Sequence, residues 1–273
     1  MRTIAHVSDL HFGRIDPAAS AALGAALRSL KPDLVIVSGD LTQRARSEQF
    51  REAAEFLAGL ATPVLAVPGN HDVPLWHALA RFLWPYHGYR RHIAVELEPV
   101  HEDAELLVLG LNSARSLAFY GGRLNSEQVG RAVERLRHAG RERLKIVVSH
   151  HPLSAPLTAG PEAESVGRGA RMYRRLVDAG GEVFLAGHFH HTAHELAEPL
   201  ATSRRRALLV HAGTATSTRR RASEGNGFNL LRYAGGHLSV VHYEHRSQRS
   251  TDFVPVTSRD YHRGDYGWEP LAH

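Results

Sequence analysis

Short apolar runs alternate along the chain with stretches of helical periodicity. The runs that predict strands are 2–7, 34–37, 63–66, 105–111, 144–148 and 182–186. Between them, apolar residues recur at three- and four-residue spacing, which predicts helices that begin at Asp16-Pro17, Ser47, Asn125 and Arg171. Strands that alternate with helices are typical of a parallel or mixed sheet with helices on its outside. We therefore predict an α/β protein.

The pattern changes after residue 200. Three apolar runs, 207–210, 228–233 and 237–243, follow one another, with a turn signal at Gly235-Gly236. We predict that they pair antiparallel in a second sheet. Residues 246–273 are polar and show no periodicity, so we predict a single domain over residues 1–245 and an irregular C-terminal tail over 246–273.

Two other stretches have no clear period. Residues 75–103 contain a group of aromatic side chains, for which we expect a place in the core or on a rim near the functional site. An interface is the alternative. Residues 153–169 are rich in Pro, Gly, Ala and Ser, which predicts a long loop over the site.

Composition narrows the class of protein. Hydrophobic residues make up 43% of the chain and charged residues 22%, which is typical of a soluble globular protein. The absence of cysteine excludes disulfides, thiolate metal sites and cysteine nucleophiles. Neither a signal-peptide core nor an apolar run of about 20 residues occurs, so we expect a cytoplasmic protein without a membrane span.

The charge is basic and is carried almost wholly by arginine. The formal net charge is +5, and Lys31 and Lys145 are the only lysines. Arginine binds phosphate through its bidentate guanidinium, so this balance suits an anionic substrate. A solvated basic surface is the alternative reading.

Metal-binding side chains follow the predicted strands at the point where each strand ends. In chain order they are Asp9, His11, Asp40, Asn70, His150, His188 and His190. The carboxyl ends of parallel strands form the edge at which open α/β sheets bind ligands. Two carboxylates, one amide and four imidazoles exceed the needs of one ion and suit two ions that share a bridging carboxylate. Two ions about 3.5–4 Å apart can clamp the oxygens of a phosphoryl group.

Five motifs carry these residues. They are Asp-x-His from Asp9, Gly-Asp at Asp40, Gly-Asn-His-Asp over 69–72, His-x-Pro from His150 and Gly-His-x-His ending at His190. In this order they resemble the calcineurin-like metallophosphoesterase superfamily. The resemblance implies a four-layer α/β/β/α sandwich of two mixed sheets flanked by helices, with a dinuclear site at the C-terminal ends of the strands.

The same resemblance implies a role for each residue. One ion would be held by Asp9, His11, Asp40 and His190, and the other by Asp40, Asn70, His150 and His188. The implied catalytic residues are His71, which stabilises developing charge or protonates the leaving oxygen, and Asp72, which orients His71. The implied nucleophile is a hydroxide that bridges the ions and attacks phosphorus. Imidazole and carboxylate ligands suit manganese, iron or zinc.

The motifs are most similar to those of bacterial class III cyclic-nucleotide phosphodiesterases, a branch that includes glycerophosphodiesterases. We therefore expect a small phosphodiester substrate. A UDP-diacylglucosamine-type pyrophosphatase and a phosphomonoesterase stay open as alternatives. Candidate substrate contacts near the ligands or the strand ends are His191, His194, Arg14 and Arg115. The arginine runs 204–206 and 219–221 are candidates for binding phosphate, with a solvated surface as the alternative for each.

Two other classes of function are less well supported. The sequence pI near 9.8 is compatible with a nuclease. However, no aromatic residues alternate with basic ones after the last predicted hairpin, so we expect no stable nucleic-acid partner. A non-catalytic scaffold is disfavoured because every ligand position holds a competent residue.

Overall fold

The computed structural model describes residues 1–75, 77–117, 121–154, 169–218, 224–245 and 252–271. In chain order its strands are β1 (Arg2–Val7), β2 (Leu34–Val37), β3 (Val64–Ala66), β4 (Val100–Glu102), β5 (Leu106–Leu111), β6 (Leu144–Ser149), β7 (Val183–Ala186), β8 (Ala193–Leu196), β9 (Leu208–His211), β10 (Asn226–Ala234), β11 (His237–His245), β12 (Phe253–Gly264) and β13 (Gly267–Pro270). Its helices are α1 (Pro17–Leu30), α2 (Ser47–Ala58), α3 (Ala78–Leu83), α4 (His87–His92), α5 (Ser126–His138) and α6 (Gly169–Asp178).

The strands form two mixed sheets. The first sheet has the order β13-β12-β11-β10-β1-β2-β3, and the second has the order β4-β5-β6-β7-β9-β8. Strands β1, β2 and β3 are parallel to one another, and so are β5, β6, β7 and β9. The other strand pairs are antiparallel. The parallel strands of each sheet therefore end at one common edge.

Apolar side chains fill three interfaces between four layers. Leu27 of α1 and Phe50 of α2 pack in a cluster with the outer face of the first sheet. Ile36 of β2 and Ile146 of β6 belong to the cluster between the two sheets. Leu176 of α6 packs in a third cluster, with α5 and the outer face of the second sheet. The predicted four-layer α/β/β/α sandwich is confirmed.

The starts of helices α1 and α5 follow from their capping residues. The Asp16 carboxylate accepts hydrogen bonds from the first-turn amides of α1, and Pro17 occupies the first helical position. The side chain of Asn125 caps α5 in the same way. Helix α2 begins at Ser47 as predicted, but Ser47 is its first residue rather than its N-cap, and the side chain of the N-cap, Arg46, makes no capping hydrogen bond. The Ser47 hydroxyl instead pairs with His92 Nε2 at 2.9 Å.

The late strands are distributed differently from our prediction. Strand β9 lies parallel to β7 in the second sheet, and β10 and β11 form a hairpin that joins the first sheet beside β1. The four residues of β9 are all buried, as in a central parallel strand, whereas β10 continues the sheet beyond β1. Apolar periodicity identifies a strand but does not determine which other strand it pairs with.

The prediction of an irregular tail is wrong for most of its described residues. Strands β12 and β13 extend the first sheet, with β12 paired along β11 from Phe253 to His262. Only Phe253 and Tyr261 of β12 are buried, and the other ten residues are exposed or half-buried, so the sequence carries no apolar alternation to mark the strand. Tyr261 and Trp268 are buried and fix the hairpin to the core between the sheets. The single-domain organisation stays a prediction.

The two stretches without periodicity are only partly described. Residues 155–168 and Trp76 lie outside the described residues, so the predicted loop over the site is not described. In the aromatic stretch, Tyr89 is buried, whereas Phe82 and Trp84 are exposed. None of the helices within the described ranges combines the length and the apolar character that crossing a membrane requires.

Candidate metal centre

The segments that leave the strands remain hydrogen-bonded to one another. The amide of Asp9 donates to the Gly39 carbonyl at 3.1 Å, and the amide of His11 donates to the Asp40 carbonyl at 3.0 Å. In the second sheet, the amide of Gly187 donates to the His150 carbonyl at 3.1 Å. Backbone pairing therefore brings the predicted ligands of neighbouring strands side by side.

Five of the seven predicted ligands have a left-handed backbone conformation. Asp9, His11 and Asp40 have φ angles of 52°, 51° and 52°, and His188 and His190 have φ angles of 75° and 51°. This region costs a non-glycine residue on the order of 1 kcal/mol or more, and such residues cluster at functional sites. The sharp turns direct these side chains back toward a common point.

A segment that follows β9 holds one of these turns in place. The Thr214 hydroxyl donates to the Asp9 carbonyl at 2.8 Å, and the Thr216 hydroxyl donates to the Leu10 carbonyl at 2.6 Å. The amide of Ala215 donates to the Ser8 carbonyl at 3.0 Å. These contacts fix the backbone around Asp9, and sequence reasoning did not find them.

One group of ligand atoms is formed by Asp9, His11 and His190, all within 4.8 Å of one another. Oδ1 of Asp9 lies 3.2 Å from His190 Nε2 and 3.6 Å from His11 Nε2. Oδ2 of the same carboxylate accepts hydrogen bonds from the Ser8 hydroxyl and from the His188 amide, at 2.6 and 3.1 Å. Oδ1 is buried and has no well-oriented hydrogen bond. A cation would supply the missing partner, so the donor set fits a metal ion.

A second group surrounds Asp40. Its Oδ2 lies 3.4 Å from His150 Nε2 and 3.8 Å from His11 Nε2. The Asn70 side-chain oxygen lies 3.1 Å from His150 Nε2. Nδ1 of His150 lies 2.8 Å from the Ser38 carbonyl and donates to it, which leaves Nε2 as the atom that faces the site. Asp40 therefore lies between the two groups, at the position expected for a bridging carboxylate.

His188 lies near His151 as well as near His150, the histidine with which it was predicted to share an ion. Its ring centroid is 5.2 Å from that of His150 and 4.5 Å from that of His151. The ligand atoms of these three residues lie within 4.8 Å of one another. His151 Nδ1 also lies 2.9 Å from the Ser113 hydroxyl. The structure thus adds His151, which occupies the variable position of its motif, as a candidate ligand.

The neighbouring charges of the site change several pKa values. Burial opposes ionisation of Asp9, yet His190 and His11 hold its pKa well below the ordinary value. Burial likewise opposes ionisation of Asp40, and His150 outweighs it and lowers the pKa. The pKa of His150 rises to about 9, because Asp40 outweighs the effect of burial. Burial lowers the pKa of His188 to about 4. Two ionised carboxylates are thus held in a buried site, as metal ligation requires.

His71 faces the same site and is oriented by a residue that we did not predict. Its Nδ1 lies 2.8 Å from the Gln43 carbonyl and donates to it. Its ring meets that of His11 edge-on, with centroids 4.9 Å apart. The His71 amide donates to Oδ1 of Asp40 at 2.9 Å. His71 is therefore fixed both to the loop after β2 and to the central carboxylate.

The expectation that Asp72 orients His71 is corrected. The Asp72 carboxylate accepts hydrogen bonds from the amides of Leu41, Thr42 and Gly69, and from the Thr42 hydroxyl, at 2.8–3.1 Å. Residues Asn70–Asp72 form a 3₁₀ turn, in which successive side chains point about 120° apart, so His71 and Asp72 face in different directions. Asp72 joins the loops that follow β2 and β3.

The predicted substrate contacts have different surroundings. Arg115 donates to the Arg123 carbonyl and to the Gln128 side chain, at 3.0 and 3.1 Å, so it supports a loop. Arg14 is exposed on the loop after β1. His191 pairs closely with Glu224, and His194 Nδ1 lies 3.2 Å from the Tyr261 hydroxyl. Both of these histidines line a cavity of about 550 Å³ that begins directly after His190 in the chain.

The arginine run 204–206 lies away from the candidate metal centre, so it does not support a phosphate site there. Residues 204–206 precede β9, which is parallel to β7, so they lie at the edge opposite the strand ends that carry the metal ligands. The amide of Arg206 donates to the Tyr266 carbonyl, which fixes this segment to the β12–β13 hairpin. The run 219–221 lies outside the described residues.

Three curated bacterial relatives are similar to the chain. A glycerophosphodiester phosphodiesterase GpdQ from Enterobacter lignolyticus is 40% identical over 80 residues, which are 25% of this chain and 29% of the relative. A probable GpdQ from Arcobacter nitrofigilis is 29% identical and covers 59% of this chain and 57% of the relative. A probable cyclic nucleotide phosphodiesterase from Synechococcus is 28% identical and covers 55% and 58%. The chain spans less than two thirds of each relative's length.

The chain shares its fold with solved structures, and it shares its motifs with a protein family. A purple acid phosphatase from yellow lupin superposes with a TM-score of 0.69 over 95% of this chain and 53% of its own, at 13% sequence identity, which shows the fold alone. The sequence pattern of the calcineurin-like phosphoesterases matches residues 2–192, which include all seven predicted metal ligands. The chain belongs to the calcineurin-like phosphoesterase family.

Proposed function

We propose that the protein is a metal-dependent phosphodiesterase that uses two transition-metal ions. The observation that carries this proposal is the convergence of buried carboxylates and imidazoles around Asp40, whose Oδ2 lies 3.4 and 3.8 Å from the Nε2 atoms of His150 and His11. The lowered pKa values of Asp9 and Asp40 keep both carboxylates ionised at neutral pH. Family membership supports a hydrolase of phosphoric esters.

The proposed ligand sets follow the two groups of the centre. One ion is assigned to Asp9, His11, Asp40 and His190, and the other to Asp40, Asn70, His150 and His188. His151 is an additional candidate for the second ion because of its position beside His188. Manganese, iron and zinc suit these donors. When bound, such ions supply positive charge that activates a water for attack and stabilises the phosphoryl oxygens.

The protein's own groups prepare the site for that chemistry. The Ser38 carbonyl fixes the His150 tautomer, and the Gln43 carbonyl fixes His71 with Nε2 toward the centre. We propose that His71 Nε2 donates a proton to the leaving oxygen or stabilises its developing charge. Asp72 positions the loops that carry Asp40 and His71, so its role is structural support of the site.

The proposed substrate class rests on the relatives. Two are named for glycerophosphodiesters and one for cyclic nucleotides, and both substrates are phosphodiesters. The cavity beyond His190 is available for the organic part of a small diester, with His191 and His194 among its lining residues. A pyrophosphatase or a monoesterase activity is the alternative to a diesterase, and a comparison of ester substrates distinguishes them.

The test compares hydrolysis of bis-p-nitrophenyl phosphate with that of p-nitrophenyl phosphate. The protein is first treated with chelator and then reloaded separately with manganese, iron or zinc. We expect faster cleavage of the diester, lost on chelation and restored by at least one metal. Faster cleavage of the monoester would assign a phosphatase. No cleavage of either compound under any metal would contradict the proposal and direct the search to pyrophosphate substrates.

A further inference from the structure

One stretch of the chain carries exposed apolar side chains and contains no acidic residue. Residues 73–95 contain no aspartate or glutamate, three arginines and three histidines, together with five aromatic residues. The stretch includes α3 and α4 and begins directly after Asp72. None of the candidate metal ligands lies in this stretch.

The apolar side chains of α3 face solvent. Leu79, Phe82, Leu83 and Trp84 are exposed by 61%, 52%, 55% and 60%. Leu117, on the loop after β5, is exposed by 81%. Side chains of this size are normally exposed singly, and a group of them marks an interaction site. We call these five residues the α3 surface.

The α3 surface is held rigidly against the rest of the protein. Arg81, on the same helix, is buried, and its guanidinium donates to the Ser116 carbonyl at 2.6 Å and to the Pro74 carbonyl at 2.9 Å. These bonds fix α3 to the loop after β5 and to the residues that follow His71 and Asp72. The apolar side chains are therefore exposed by a well-fixed helix, and they lie on the side of the molecule where the strands end.

Basic groups lie beside the apolar ones. Arg90 and Arg91 are exposed in the last turn of α4. A cavity of about 480 Å³ is lined by Trp84, His87 and Arg91, among others, so it connects the aromatic edge of the α3 surface with the basic residues. Ser47 of α2 also lines this cavity, and the next residue in the chain, Glu48, is the acidic residue closest in sequence to any lining residue.

We propose that the α3 surface docks on an anionic lipid surface. Exposed Trp, Phe and Leu side chains enter the boundary between head groups and acyl chains, while adjacent arginines contact lipid phosphates. The charge of residues 73–95 is complementary to anionic lipid. The docked protein would present the strand-end edge, with its metal centre, toward the lipid.

The other occupants of such a surface fit less well. A symmetric dimer would use the same patch of both copies, so it would bring the basic groups of two acid-free stretches, with Arg90 and Arg91 in each, into one interface, which opposes association. Nucleic acid matches the charge and stacks on aromatic rings, but it offers nothing apolar to the aliphatic side chains of Leu79, Leu83 and Leu117. An acyl-chain boundary matches both features.

The test is co-sedimentation of the whole protein with vesicles of phosphatidylcholine alone or of phosphatidylcholine with phosphatidylserine. We expect binding to the anionic vesicles that weakens as salt is raised. The Phe82→Ser/Leu83→Ser variant should bind on the order of 30-fold more weakly, because each side chain is about half exposed and would be buried on docking. The Arg90→Glu/Arg91→Glu variant should lose the preference for anionic lipid.

Tyr266→Ser is the matched control, since Tyr266 is exposed by 55% in the distant β12–β13 hairpin. It should bind as the unsubstituted protein does, and all variants should retain diesterase activity on a soluble substrate if they are folded. The proposal is overturned if the unsubstituted protein does not bind anionic vesicles, or if the Phe82→Ser/Leu83→Ser and Tyr266→Ser variants bind equally. It is also overturned if the unsubstituted protein does not bind vesicles but forms a dimer in light scattering, and if the Phe82→Ser/Leu83→Ser variant loses that dimer while the Tyr266→Ser variant keeps it.

Discussion

The Asp72→Ala substitution distinguishes support of the site from participation in its chemistry. The Asp72 carboxylate accepts four hydrogen bonds that join the loops after β2 and β3. Its removal leaves the buried amides of Leu41, Thr42 and Gly69 without this acceptor. We therefore expect the variant to lose folding stability and, through displacement of Asp40, metal affinity.

The magnitude follows from the hydrogen bonds that the substitution removes. A hydrogen bond to a charged group contributes about 1.5–3 kcal/mol, so four such bonds amount to roughly 6–12 kcal/mol. Burial and the nearby Asp40 oppose ionisation of Asp72 and raise its pKa to about 6, even though the hydrogen bonds from Gly69, Thr42 and Leu41 lower it. Because the substitution also removes this unfavourable buried charge, and because water can replace part of the lost carboxylate, we expect a net loss of about 4 kcal/mol, below the sum of the four bonds.

Urea unfolding at pH 7.5 in the presence of chelator measures this loss. The comparison variant is His71→Ala, which should cost less, about 1 kcal/mol for the hydrogen bond to the Gln43 carbonyl, because it leaves the four hydrogen bonds of Asp72 in place. If Asp72→Ala does not fold, Asp72→Asn should show a smaller loss in the same direction. The reasoning is refuted if Asp72→Ala unfolds within about 1 kcal/mol of the unsubstituted protein.

Three further predictions concern groups in and behind the site. His71→Ala should keep its metal but lose about 10²–10⁴ in kcat, as expected for a general acid; normal activity, or loss of metal by elemental analysis, would contradict this. Thr214→Val should weaken metal binding severalfold in a chelator titration by freeing the strained turn at Asp9, whereas Thr202→Val, at an exposed hydroxyl, should not. Burial lowers the pKa of His6 to about 3, so its contribution to stability is complete above pH 6.5 and is lost as the pH falls toward 3. The free energy of unfolding of His6→Gln, measured in urea, should therefore fall less between pH 6 and pH 4.5 than that of the unsubstituted protein, by about 1.4 kcal/mol per pH unit; an unchanged slope would contradict the assignment.

The sequence was informative where apolar runs and motifs coincide. Each predicted ligand follows a run that the structure shows as a parallel strand, and parallel strands end at a common edge, so convergence of the ligands follows from topology. The edge hairpin of β12 and β13 was missed because its exposed positions carry no apolar alternation. The sheet to which β10 belongs depends on its pairing with β1, which is far away in sequence.

The partners of the site residues were harder to predict than the residues themselves. Asp72 is adjacent to His71 in sequence, but the 3₁₀ turn separates their side chains, and Gln43 takes the predicted orienting role. His151 gave no signal because it occupies a motif position open to any residue. Such contacts depend on side-chain directions in tight turns, which a sequence pattern does not specify.

The most direct test of the central claim measures metal content and diester hydrolysis together in the unsubstituted protein and in the Asp40→Asn variant. Asp265→Asn, at an exposed turn before β13, is the matched control. We predict two ions per chain and metal-dependent hydrolysis of bis-p-nitrophenyl phosphate for the unsubstituted protein and the control. Asp40→Asn should lose metal and activity together. Full activity of the metal-free protein, or of Asp40→Asn, would contradict the account.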